Sequence, residues 1–365
     1  MGEPTNPPNV GKPRQRIRPG IGHIEQVTLT GRRRWRQHRV RAGQCDDLGE
    51  LMGLVMLFAV AAGLIVVVGV ALLYHAMLHP HRKTYGFALA HGLPTQPEEL
   101  GLEAEPIELT LTDGHTSPGW IITGREPDGP TIVMTHGWSS SRYTALWKAS
   151  LLARFAGRVV LYDTRGHGES SAPICHMGTT EAIDLLNIAE QLPPAAAPLM
   201  LYGSSMGAGT AIVAAARSVS QNGRAGRPPI AGVIADGPYR RGMEPVLGKL
   251  RNDGYPAFPI VHLAWTLVTL RLGGFGDFDR ARHAGRLPCP LLVLHGTADR
   301  ISRPASARQI VDAAGDATLI EFEGAAHGQL ATHDEPRYCK AVATFVEHVM
   351  QNHRGRLTGD EGCHG

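Results

Sequence analysis

Leu201-Tyr202-Gly203-Ser204-Ser205-Met206-Gly207-Ala208-Gly209, "LYGSSMGAG", is the stretch on which the reading of the fold turns. Its frame, Gly203-Ser204-Ser205-Met206-Gly207, fits G-x-S-x-G, a pattern that sets a serine on a sharp turn between a strand and a helix. Ser205 occupies the serine position of that frame, and Ser204, one place out of it, reads as a residue that shapes the turn. A chain of 365 residues with 44 glycines meets such a pattern cheaply, so its neighbours must decide. Residues 199–202 before it form a short apolar run, as a strand buried on both faces would, and 207–219 after it has helical spacing.

The same alternation extends outward. Strand-like runs stand at 107–111, 120–123, 131–135, 159–162, 232–235, 291–294 and 318–322, with helical patterns at 142–155, 180–192, 304–314 and 335–350. Alternating strands and helices after an opening hairpin predict a mostly parallel, doubly wound α/β sheet over 105–351. Residues 238–287 separate two core strands and read as a short helical cap. Within it "PAFPIVHLAWTLVTLRLG" is apolar nearly all round, which suits either a helix packed on the sheet or an apolar lid carrying Trp265.

Ahead of this domain the composition changes twice. Residues 1–47 are rich in Pro, Gly and Arg with little apolar periodicity, and predict a disordered basic tail. The run that starts at Leu51 and ends at Met77 then holds no Asp, Glu, Lys or Arg. It exceeds the roughly 20 residues that cross a bilayer core and the roughly 7–15 of a signal peptide's apolar region, so 48–79 predicts an uncleaved transmembrane helix. Arg32, Arg33, Arg34, Arg36, Arg39 and Arg41 precede the run, and only Arg82 and Lys83 follow it closely. That asymmetry predicts a cytoplasmic N-terminus and an α/β domain on the extracytoplasmic side, with the basic segment against lipid headgroups. Residues 80–104 then read as a linker and 352–365 as a flexible tail. The net charge of +3 gives no reason to expect a nucleic-acid partner. Five scattered cysteines offer no metal spacing, and His79-Pro80-His81 has no third ligand in view, so no metal or cofactor is expected.

In an open α/β sheet ligands bind beyond the carboxyl ends of the strands. At those ends stand His136-Gly137-Trp138, then "DTRGHGES" from Asp163, the opening motif, "HGTADRIS" from His295, and "GAAHG" from Gly324. In that order these segments resemble the α/β-hydrolase family, with particular similarity to serine-aminopeptidase-like and acyl-protein-thioesterase-like members. The resemblance implies a catalytic triad of Ser205, Asp299 and His327, in the family's order. It further implies an oxyanion hole built from the backbone N–H groups of Met206 and Trp138, with Gly137, Gly203 and Gly207 allowing close approach. His136 and His167 read as residues that shape the loops, Asp163 as a loop organiser, and Asp236 in "ADGPY" as a rival to Asp299 for the acid. The activity implied is hydrolysis of an ester or thioester in a small-molecule or acylated substrate through an acyl-enzyme. An aminopeptidase or amidase of the same fold is the alternative, and a catalytically silent, membrane-tethered binding module the alternative of another class.

Overall fold

The computed structural model describes residues 30–194, 196–220, 229–273 and 278–360, and it divides into two units, Met1–Gly63 and Leu64–Gly365. The N-terminal unit contains the first part of α1 (Thr30–Leu78), whose apolar side chains, Phe58 and Leu64 included, stand exposed on either side of the boundary. The basic stretch from residue 30, expected to lack structure, is therefore helical; the rest of that predicted tail, 1–29, lies outside the described residues. Arg and Gln are good helix formers, and adding residues to an existing helix avoids the cost of nucleation, so the long apolar helix extends backwards through them. Its Asp47–Leu78 portion is long and apolar enough to cross a membrane.

The second unit begins with the end of α1 and continues through α2 (Tyr85–Ala90) to an antiparallel pair, β1 (Ala104–Thr110) and β2 (Thr116–Thr123). Then follow β3 (Thr131–Thr135), α3 (Arg142–Leu152), β4 (Arg158–Tyr162), α4 (Thr180–Gln191), β5 (Leu199–Ser204), α5 (Met206–Ser220) and β6 (Ile230–Asp236). The segment after β6, expected as the cap, holds α6 (Glu244–Asn252), α7 (Ile260–Arg271) and α8 (Arg280–Ala284). Of these, α8 packs beside α5 with Ala281 and Ala284 in the sheet core, leaving α6 and α7 as the cap. The chain closes with β7 (Leu291–Gly296), α9 (Pro304–Ala313), β8 (Ala317–Phe322), α10 (Leu330–His333) and α11 (Glu335–Asp360). The last helix runs beyond residue 351, where a flexible tail was expected, and 361–365 lie outside the described residues.

One eight-stranded sheet, in the order β1-β2-β4-β3-β5-β6-β7-β8, carries the domain, and it is parallel from β4 through β8. Successive residues of a strand face opposite ways, so wholly buried strands feed two cores. Ile132 and Met134 pack with α3 and α11 on one face, while Val133 packs with α4 and α5 on the other. This is why the central strands read as unbroken apolar runs rather than alternating ones. A parallel sheet also brings all its carboxyl ends to one edge, and the segments quoted above meet there.

Candidate active site

Ser205 lies between the last residue of β5 and the first of α5, with φ at 54°, a left-handed conformation that side chains other than glycine rarely take. Its N–H donates to the Asp236 carbonyl at 2.8 Å, which ties the turn to the end of β6. The flanking glycines are required by space. A Cβ on Gly203 would fall 2.0 Å from the Gly207 carbonyl oxygen, and one on Gly207 would fall 2.2 Å from that of Thr135.

His327 comes from the loop after β8 and Asp299 from the loop after β7. His327 Nδ1 lies 2.6 Å from Asp299 Oδ2, and His327 Nε2 lies 2.9 Å from Ser205 Oγ. The Asp299 carboxylate has no proton to give, so Nδ1–H is the donor and Nε2 is left to accept the Ser205 hydroxyl proton. The other Asp299 oxygen accepts the N–H groups of Ile301 and Ser302 at 2.9 and 2.8 Å, and so the acid is held in one orientation. Asp299 is buried, while Ser205 and His327 are half-buried, open enough to meet a reactant.

The rival acid is directed elsewhere. The Asp236 carboxylate accepts from Lys148 at 2.7 Å, from the Tyr202 hydroxyl at 2.7 Å and from the Tyr338 hydroxyl at 3.1 Å, all deep in the domain. Burial alone would raise its pKa, but the Lys148 charge and these donors hold it below the ordinary value.

The loop after β3 folds over the serine turn. A Cβ on Gly137 would lie 3.4 Å from that of Ser205, so this loop touches the turn directly. The two backbone N–H groups expected as oxyanion donors follow these residues. That of Met206 is in the first turn of α5, where helix N–H groups have no partner within the helix. That of Trp138 follows Gly137, and the Trp138 indole donates to the Met77 carbonyl at 3.1 Å.

His136 and His167 fix the surrounding loops. His136 Nε2 accepts the Thr164 N–H at 3.0 Å, so Nδ1 carries the proton and donates to the Gly137 carbonyl at 2.9 Å. Burial pushes its pKa down to about 4, and that of His167 to about 3. Both rings are therefore neutral at pH 7. Asp163 accepts the N–H groups of Arg142 and Glu169 and pairs with the Arg142 guanidinium, joining the loop after β4 to α3.

Two features were not anticipated from the sequence. One is the buried Lys148–Asp236 pair. The other is the participation of α1: Val70, Met77 and Leu78 form one apolar cluster with Cys175, Met206, Trp265, Val268 and Phe278. The cap helix α7 thus packs on the end of α1 and on the residue beside Ser205, whereas its apolar sequence equally suits a place on the sheet. The signal in the sequence is length, since the apolar run is longer than a bilayer requires.

Comparison with known proteins agrees with this architecture. The model of the α/β hydrolase family matches residues 132–342, more than half of the chain. The chain belongs to the α/β hydrolase family. Among relatives of this hydrolase, the uncharacterised Bacillus subtilis protein YqkD is 24% identical over 259 residues, 68% of this chain and 81% of its own. Protein phosphatase methylesterase 1 of Mus musculus is 34% identical over 122 residues, 32% of this chain and 30% of its own. In structure, the Pyrococcus furiosus esterase Pf2001 superposes with a TM-score of 0.59 at 18% identity, covering 75% of this hydrolase and 98% of the esterase.

Proposed function

We propose that this protein is a membrane-anchored serine hydrolase that cleaves an ester or thioester through an acyl-enzyme. The observation that carries the reading is the continuous relay from Ser205 Oγ through His327 to the buried carboxylate of Asp299. Ser205 Oγ attacks the acyl carbon while its proton passes to His327 Nε2, and Asp299 stabilises the imidazolium that forms. The negative charge on the former carbonyl oxygen is met by the N–H groups of Met206 and Trp138, each contributing about 2.7–4 kcal/mol to lowering the barrier. His327 gives its proton to the departing alcohol or thiol. Water then adds to the acyl carbon by the same route in reverse, freeing the acid and Ser205.

In this reading the Asp47–Leu78 portion of α1 serves as the anchor, and the excess of arginines ahead of it supports a cytoplasmic N-terminus with the hydrolase domain on the far side. A fluorophosphonate probe labels the wild-type protein and fails to label Ser205→Ala; equal labelling of the two overturns the nucleophile. Activity on p-nitrophenyl esters exceeds that on aminoacyl anilides, and the reverse order overturns the ester reading. Sodium carbonate leaves the full chain in the membrane fraction, and release would sink the anchor. Protease added outside cells whose outer barriers are open digests the hydrolase domain; protection there overturns the orientation.

A further inference from the structure

The cap helix α7 is apolar on the side that packs, and on the side that does not it carries a row of leucines flanked by His262 and Thr266. Val261, Ala264, Trp265 and Val268 are buried, at the spacing of one helix face. On the opposite face Leu263, Leu267 and Leu270 stand exposed at spacings of four and three residues, and the turn leading into the helix adds Tyr255 and Phe258, the latter 78% exposed. A soluble cap helix would turn polar residues outward here. Contiguous exposed apolar surface of this kind marks an interaction site.

The position of this face along α1 says what covers it. At 1.5 Å per residue, about 20 residues cross a bilayer core of about 30 Å, and counted from Leu51 they end near Val70. At that level α1 meets the cap. A Cβ on Gly69 would lie 2.9 Å from Ile260 Cδ1, and Val66, Val70, Leu73 and Met77 turn inward toward the cap. The first turn of α7 is therefore level with the boundary at which the hydrocarbon ends. Tyr255 at the entrance to the helix and Arg271 at its end are residue types that suit the headgroup layer.

We infer that α7 lies in the membrane interface, with Leu263, Leu267 and Leu270 among the lipid chains. The apolar cluster between α7 and α1 extends as far as Met206, the neighbour of Ser205, so the membrane-facing helix and the serine turn share one packed core. The occupant of the exposed face is a phospholipid bilayer. This inference rests on the membrane-anchor reading given above.

The test uses the full chain, with Cys45 and Cys363 replaced by serine and one new cysteine labelled with an environment-sensitive nitrobenzoxadiazole dye, in phosphatidylcholine vesicles. Cys175, Cys289 and Cys339 are buried, so their failure to react reports a folded domain. The dye on Leu267→Cys is quenched by doxyl-labelled lipid at least two-fold more than one on Asp128→Cys, a site in the exposed turn at the opposite end of β3, and is shielded from aqueous iodide. Leu270→Cys gives the same reading should Leu267→Cys fail to fold. Iodide quenching at 267 equal to that at 128 overturns the proposal. Shielding from iodide without doxyl quenching also overturns it, because a protein partner or a second copy would then cover the face. A chain released by carbonate overturns the anchor together with this inference; a chain retained with an aqueous dye at 267 overturns this inference alone.

Discussion

The conformation of Ser205 can be tested by its own removal. A residue with a Cβ in the left-handed region is strained by about 1–2 kcal/mol, a penalty that glycine escapes. Ser205 is held there at φ 54° because its N–H is bonded to the Asp236 carbonyl and Gly203 is packed on Gly207. Both Ser205→Gly and Ser205→Ala remove the hydroxyl, yet only the alanine variant keeps the strain. Ser205→Gly is therefore expected to be more stable than Ser205→Ala by about 1 kcal/mol in urea unfolding, with both inactive. Equal stability of the two variants would show that the turn relaxes and stores no strain. A second expectation concerns Lys148. Replacing it by Met leaves the Asp236 carboxylate buried without its cation, a change that costs about 3–5 kcal/mol in comparable pairs. Unfolding measured at pH 7 should show that loss, and Lys148→Arg should recover part of it. The serine was legible in the sequence because its signal is local: two glycines, a strand before and a helix after. The Lys148–Asp236 pair was not, because its partners are 88 residues apart and only the folded sheet brings them together.

At the scale of elements, legibility follows the range of the interactions that form each one. The central strands 131–135, 159–162 and 199–202 were readable because burial on both faces leaves an apolar run with sharp ends. The hairpin strands began earlier than expected. Glu105 and Glu108 of β1 are exposed on an edge strand, where backbone pairing with β2 rather than side-chain hydrophobicity sets the limits. The start of α1 at Thr30 and the extension of α11 to Asp360 were missed for a related reason, since helix propagation carries a helix into polar sequence that could not begin one. The docking of α1 on the cap leaves one small trace, Gly69, where the two helices approach closely. Gly69→Val should cost about 1–3 kcal/mol through overpacking against Ile260. Ile260→Ala alone should also destabilise, and the double variant should regain part of the loss. Strict additivity in that double-mutant cycle would mean that the two side chains do not meet.

For the whole molecule, the loops around the site couple stability to pH through histidines that the fold keeps neutral. Burial holds His136 at about 4 and His167 at about 3, against an ordinary value near 6.5. Between about pH 6.5 and 4 the unfolded chain therefore binds protons at these two positions and the folded chain does not. Stability then falls as pH falls through this window, with a slope of about 1.4 kcal/mol per pH unit for each histidine fully engaged. Two buried carboxyl groups act in the opposite sense. Asp163 and Glu181 are raised by burial, so the folded state takes up protons there before the unfolded one, and acid relieves part of their cost. The net slope of the wild-type protein thus mixes both signs, and a difference between variants isolates the histidine. His136→Asn has no titrating ring. It should be less stable than wild type at pH 7, where the bonds to Thr164 and Gly137 are lost or weakened, and its stability should decline less steeply between pH 6 and 4.5, by up to about 1.4 kcal/mol per pH unit. Urea unfolding at half-unit pH intervals measures both slopes. Parallel slopes would mean that His136 takes up its proton in the folded state as readily as in the unfolded one. In that case the loop after β3 would open in mild acid, and because Gly137 of that loop rests on the serine turn, hydrolase activity would fall with the same midpoint.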